Sequence, residues 1–191
     1  MKRIHTIALA GAAALALAFG ATTTTPTFAK EMTKMVGGAA MYPSKNIVQN
    51  AVNSKDHTTL VAAVKAAGLV KTLESPGPFT VFAPTNEAFA KLPAGTVDTL
   101  LKPENKSKLT GILTYHVVAG RLTTKDLREK IKDGGGKAEL KTVEGKPLTI
   151  SEKDGHVWLT DEKGDKAEIT IANVMQSNGV IQVINTVMLP G

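Results

Sequence analysis

Hydrophobic residues in the first half of the chain recur at helical spacing, and from Ala138 onward they alternate with polar ones. In residues 46–72 the apolar side chains lie three and four positions apart, as in helices that bury one face. The two predicted faces consist of Ile47, Val48, Ala51 and Val52, and of Leu60, Val61, Val64 and Ala67. Gly68 stands where the second helix would end in a left-handed turn. The chain is therefore predicted to open with helices.

A short buried strand is predicted at residues 80–82, where the side chains are β-branched or aromatic. Pro84 ends this strand because it has no backbone N–H to donate. Thr85 or Asn86 can then cap a helix by accepting a hydrogen bond from a free backbone N–H. These residues therefore predict a short strand that leads directly into a capped helix.

Three further helices follow from the same rules. Thr96 is predicted to cap a short helix, and Pro103 to lie in the first turn of a longer one. Thr123 is predicted to start the third, which leads into a flexible glycine turn at residues 133–136. The apolar residues of the longer helix are Leu109, Ile112 and Leu113.

From Ala138 onward the period is two, which predicts strands with one buried face. Asp154-Gly155 is a strong hairpin signal between two alternating segments. The last apolar run, residues 180–187, is hydrophobic enough for a central, fully buried strand. Helices followed by a meander of strands indicate a single α+β domain.

Four blocks of the sequence resemble the fasciclin family of secreted adhesion domains. Residues 77–89 resemble its first signature block, residues 114–118 its tyrosine–histidine block and residues 178–190 its closing block. Residues 46–72 are similar to its helical opening segment. The blocks stand in the family's order, and the resemblance implies a fasciclin fold over residues 44–190, a wedge-like β-sheet sandwich with helices packed on one side.

The N-terminus predicts export. Lys2 and Arg3 precede an uncharged run of 15 residues, and Thr27-Phe28-Ala29 offers small residues to a signal peptidase. Residues 1–29 are therefore predicted to be a cleaved signal peptide, and residues 30–43 a flexible leader. The predicted location is extracellular or periplasmic, without stable membrane insertion, because the run falls short of the roughly 20 apolar residues that span a bilayer.

Composition narrows the classes of partner. The chain has no cysteine, so its stability must come from an ordinary core. Removal of Lys2 and Arg3 leaves 21 basic and 17 acidic residues, a net charge of +4. The lysines are scattered, and neither a basic stripe nor a nucleic-acid-binding module is present, so no nucleic-acid partner is predicted.

No motif predicts catalysis or a cofactor. None of the six serines stands in G-x-S-x-G or S-x-x-K. Residues 134–137 contain three glycines and a lysine but lack the spacing and the Ser/Thr of a phosphate loop. His57, His116 and His156 share no metal-ligand spacing. The acidic turn around Asp161 is interpreted as solvated charge.

Tyr115 and His116 are the candidate partner-binding residues. The family resemblance implies that the matching pair takes part in receptor engagement. The residues themselves favour a semi-buried, hydrogen-bonded His116 between apolar neighbours, whereas Tyr115 suits a core and an interface equally. The sequence leaves core and contact roles open for both.

The predicted function is a non-enzymatic, exported domain that mediates adhesion or matrix interaction through cell-surface or matrix proteins or polysaccharides. The oligomeric state is left open. The partner surface is predicted on the polar meander, with Glu152, His156, Lys163 and Lys166 pointing outward, or near Tyr115. An alternative is a binder of a small apolar ligand held between sheet and helices, which requires an apolar pocket. A hydrolase with residues scattered in sequence is a third hypothesis.

Overall fold

A computed structural model describes residues 33–191, so the predicted signal peptide lies outside the described residues. No helix among these residues has the length and apolar character needed to cross a bilayer. The helices are α1 (Ile47–Ala51), α2 (Thr58–Ala67), α3 (Val70–Glu74), α4 (Asn86–Ala90), α5 (Thr96–Leu100), α6 (Lys106–Tyr115) and α7 (Thr124–Asp133). Two 3₁₀ turns span Lys55–His57 and Pro103–Asn105. The strands are β1 (Lys34–Val36), β2 (Ala39–Met41), β3 (Phe79–Pro84), β4 (Val117–Ala119), β5 (Lys137–Lys141), β6 (Pro147–Lys153), β7 (His156–Thr160), β8 (Lys166–Gln176) and β9 (Gly179–Ile184).

Strands β3 to β9 form one seven-stranded sheet in the order β4-β3-β9-β8-β7-β6-β5. Strand β9 is parallel to β3 and antiparallel to β8, and all six of its residues are buried. This confirms the prediction that the closing apolar run is a central strand. It also explains why this segment is mostly apolar, because a strand covered on both faces has no side that faces solvent.

The long strand β8 turns the sheet into a wedge. Its first part pairs with β7 and its second part with β9, and register shifts fall between Ile169 and Ile171 and between Ile171 and Val174. Such irregularities bend a strand and increase its twist. A bridge between Val118 and Thr142 links β4 to the segment after β5, so the far edges of the sheet approach each other.

Two hydrophobic clusters fill the two sides of this wedge. One joins the helical layer of α1 to α6 to strands β3 and β9. The other lies between α7 and the meander β5 to β8, with Leu127, Leu148, Ile150 and Leu159 fully buried. The predicted α+β class is thus confirmed.

Several predicted boundaries coincide with observed caps. The Thr85 side chain accepts from the Ala88 N–H at the start of α4, and Thr123 forms a capping box with Asp126 at the start of α7. Gly68 ends α2 in the left-handed conformation. Thr96, in contrast, is the first residue of α5, and Gly95 occupies the cap position.

Pro103 also differs from its predicted place, because it begins the 3₁₀ turn that precedes α6.

The predicted flexible leader contains a regular hairpin over residues 34–41. Strands β1 and β2 pair around Gly37 and Gly38, both of which have positive φ, as a tight two-residue turn requires. Val36 and Met41 are 4% and 2% exposed and belong to the helical-side core. The difference arises because each strand contributes only one core residue, too few to show a period in the sequence.

Candidate functional site

The tyrosine–histidine pair lies at the C-terminal end of α6, inside the protein. Tyr115 is the last helical residue and His116 is the C-cap. Their side chains are 0% and 2% exposed, respectively. Neither side chain offers a surface to a partner in this conformation. Any influence of the pair on binding therefore has to pass through the residues that it holds.

Two backbone groups hold His116. Its Nδ1 lies 2.8 Å from the Ile112 carbonyl oxygen, and its Nε2 accepts from the Met188 N–H at 3.0 Å. Because Nε2 is the acceptor, Nδ1 carries the proton and donates to Ile112. Burial lowers the pKa of His116 from 6.5 to about 4. His116 is thus a neutral bridge between α6 and the segment after β9.

Tyr115 connects α6 to the meander. Its hydroxyl donates to the Pro147 carbonyl, at the first residue of β6, over 2.8 Å. Burial, and then the nearby Asp161 carboxylate, raise the pKa of Tyr115 to about 12. The hydroxyl remains a donor at physiological pH. The pair therefore fixes two other elements relative to α6.

Asp161 differs from its predicted role as solvated charge. It is 6% exposed, and its carboxylate accepts from the N–H groups of Lys163, Asp165 and Leu189, each at 2.9 Å. Buried polar groups are normally hydrogen-bonded, and three backbone donors meet that requirement here. Asp161 closes the β7–β8 turn and attaches the segment after β9 to it.

An open face of the meander carries a row of polar side chains around one tryptophan. Cross-strand register places Lys137, Ser151, Trp158 and Glu168 side by side on β5, β6, β7 and β8. The next row consists of Glu139, Thr149, Thr160 and Lys166. All of these side chains are exposed or half-buried, whereas Ile150, Leu159 and Ala167, which alternate with them along the strands, are buried. We call these eight residues the meander face.

The four predicted outward residues do not all lie on this face. Lys166 belongs to it, and His156 lies beside it, with Nδ1 at 2.7 Å from the Glu168 carboxylate. Lys163 is in the β7–β8 turn. Glu152 is on the opposite side of β6, where Arg128 of α7 pairs with it at 3.1 Å.

Sequence reasoning overlooked Trp158. The signal was present, because Trp158 alternates with the buried Val157 and Leu159 and must therefore point outward. Within residues 33–191, the acidic, histidine and cysteine side chains form no group that could hold a metal ion.

The comparisons with known proteins agree with this architecture. A model of the Fasciclin domain matches residues 55–190. Protein sll1483 of Synechocystis is 49% identical over 160 residues, which cover 84% of this chain and 82% of that protein. Cell surface glycolipoprotein MPB83 of Mycobacterium bovis is 34% identical over 160 residues, which cover 81% and 64% of the two chains.

A FAS1 domain pair from the insect cell adhesion molecule Fasciclin I has the same fold. It superposes with a TM-score of 0.68 at 19% identity and covers 78% of this chain. The present chain spans 52% of that structure, about half of its length. The family model matches most of the residues that the structure describes, in the order of blocks seen in the sequence. The chain therefore belongs to the fasciclin domain family.

Proposed function

We propose that this protein is an exported, non-enzymatic adhesion module that binds a cell-surface or matrix protein or polysaccharide through the meander face. The observation that carries the proposal is Trp158 at the centre of an open, otherwise polar sheet face. Tryptophan is strongly enriched at the energetic centres of interfaces, where polar neighbours surround it. Family membership supports the adhesive role, since relatives include a cell adhesion molecule and a cell surface glycolipoprotein.

Mixed charge on the face favours selective rather than nonspecific attraction. Lys137 and Glu139 lie two residues apart on β5, and Lys166 and Glu168 lie two residues apart on β8, so each edge of the face carries both signs of charge. Complementary charges set orientation and association rate more than total affinity. We therefore expect partner binding to weaken with salt but to persist, because the aromatic contact is not screened.

Tyr115 and His116 act in this proposal as positioning residues. Tyr115 holds the first residue of β6, and β6 supplies Thr149 and Ser151 to the meander face. A loss of the Tyr115 hydroxyl would shift the face without removing any group that a partner touches. The Tyr115→Phe variant should therefore reduce binding less than Trp158→Ala does.

Binding to intact cells and to isolated matrix tests the proposal. Trp158→Ala should lower affinity at least tenfold, since truncation of a central interface aromatic commonly costs about 2 kcal/mol or more. Charge reversal at Lys163 and Lys166 should also weaken binding. The same reversal at Lys65 and Lys71, on helices α2 and α3, is the matched control and should have little effect. Loss of binding only in the helix-side pair would refute the assignment of the surface.

Export has its own test. N-terminal sequencing of protein recovered outside the cytoplasm should begin at Lys30, after cleavage behind Ala29. Recovery of the protein only with Met1 intact in the cytoplasm would contradict the proposed location.

A further inference from the structure

An apolar cavity of about 80 Å³ lies in the core between the helical layer and the sheet. Its walls come from α1, α2, α3, β3 and β9, and include Ile47, Leu60, Val64 and Ile181. Lys65, Thr72 and Val143 also line it and are exposed, so they mark the side where the cavity reaches the surface. Apolar cavities of this kind stay free of ordered water and accept apolar molecules.

One polar atom of the wall has no hydrogen-bond partner. His57 is 3% exposed and lines the cavity, and its Nε2 is unpaired among residues 33–191. Burial, the largest effect, lowers the pKa of His57, and the nearby Ala83 carbonyl, which lies outside hydrogen-bond geometry, acts in the opposite direction. His57 is therefore neutral at physiological pH. A buried polar group without a partner is rare in folded proteins and calls for an explanation.

The hydrogen bond of the other ring nitrogen, Nδ1, shows whether Nε2 is a donor or an acceptor. Nδ1 lies 2.9 Å from the Ser54 hydroxyl, which makes no other hydrogen bond in the described part of the chain. A buried hydroxyl is best satisfied when it donates its proton. Ser54 then donates to Nδ1, and Nε2 carries the ring proton. The cavity wall thus holds an N–H donor that requires an acceptor.

We propose that this cavity is a binding site for a small, neutral, largely apolar molecule with one acceptor oxygen, such as a ketone or an ester, which accepts from His57 Nε2. The acceptor is neutral because the core walls contain no buried cation to balance a carboxylate, and burial of an unpaired charge is strongly unfavourable. A cavity of about 150 Å³ holds the six heavy atoms of benzene, so this cavity of about 80 Å³ suits a compound of roughly three or four heavy atoms. This inference is independent of the meander face.

The probe pair is acetone and its near-isostere 2-methylpropene, which has no acceptor. Protein expressed from the full-length sequence is titrated with each, and the His57 ring nitrogens and the lining methyl groups are followed by NMR. The ketone should bind about tenfold more tightly than the alkene, because only the ketone pairs the buried donor. It should shift the Nε2 resonance, and the resonances should show Nε2 protonated and Nδ1 unprotonated.

The double variant Ser54→Ala/His57→Phe removes both polar partners together, so that no buried group is left unpaired. It should bind both probes with similar affinity. His156→Phe, at the surface, should keep the wild-type preference for the ketone. Equal affinity of the wild-type protein for the two probes, absence of binding by either, or a proton on Nδ1 would each overturn the proposal.

Discussion

Replacement of His116 by leucine should change the pH dependence of stability as well as its magnitude. At neutral pH the variant loses the bonds to the Ile112 carbonyl and the Met188 N–H and leaves both groups without their partner. Loss of one partner of a buried hydrogen bond costs about 1–3 kcal/mol. We therefore expect the free energy of unfolding at pH 7.5 to fall by roughly 2–4 kcal/mol for the two bonds together.

Acid should remove most of this difference. The pKa of His116 is lowered to about 4 in the folded protein, against 6.5 for an ordinary histidine. The unfolded state therefore binds a proton first, and the wild-type protein loses stability as the pH falls from 6.5 towards 4. The loss amounts to roughly 2 kcal/mol at pH 5 and about 3 kcal/mol at pH 4, at 1.36 kcal/mol per pKa unit. Leucine does not titrate, so the variant escapes this loss.

Urea denaturation at pH 7.5, 6 and 5 measures the prediction. The gap between wild type and variant should narrow steadily as the pH falls. His57 titrates in the same direction but is present in both proteins, so its contribution cancels in the difference. A gap that stays constant from pH 7.5 to pH 5 would show that His116 is not the neutral bridge described above.

Four substitutions, three at glycines and one at a helix cap, test the local structure by thermal unfolding. Gly155→Val should cost roughly 1–2 kcal/mol or more, because φ is 79° there and a β-branched residue is strained; an unchanged midpoint would contradict this. Gly179→Ala should cost about 1–3 kcal/mol, since its Cβ would lie 2.1 Å from the Phe79 carbonyl oxygen. Gly111→Ala, the control within α6, meets no atom within 4 Å and should stabilise by about 0.5–1 kcal/mol. Thr123→Ala should lose about 1 kcal/mol of capping.

Local signals predicted the elements whose cause is local. The Thr123 cap, the left-handed Gly68 and the Asp154-Gly155 turn each depend on a few adjacent residues, and each is confirmed. The closing strand could be predicted equally well from the sequence, because burial on both faces requires a nearly continuous apolar run. Such features need no knowledge of distant contacts.

Features that depend on distant partners escaped sequence reasoning. Asp161 is buried because the Leu189 N–H, 28 residues away, joins two turn amides around its carboxylate. The β1–β2 hairpin is ordered by a core that forms from later segments. The unpaired Nε2 of His57 is visible only once the surrounding helices are packed. In each case the pairing that sets burial is absent from the local sequence.

The location of the tyrosine–histidine pair indicates how a substitution there would affect recognition in the proposed function. Besides the side-chain bonds, the His116 carbonyl accepts from the Phe82 N–H at 2.9 Å, so α6, β3, the meander and the segment after β9 meet at one junction. A change there moves several elements at once, which makes stability and binding fall together. In the proposed function Trp158 is a contact residue, so its truncation should lower binding by more than the stability loss expected for a half-buried side chain. The loss of binding relative to the loss of stability should therefore be larger in Trp158→Ala than in Tyr115→Phe, and an equal ratio in the two variants would refute the separation of contact from positioning.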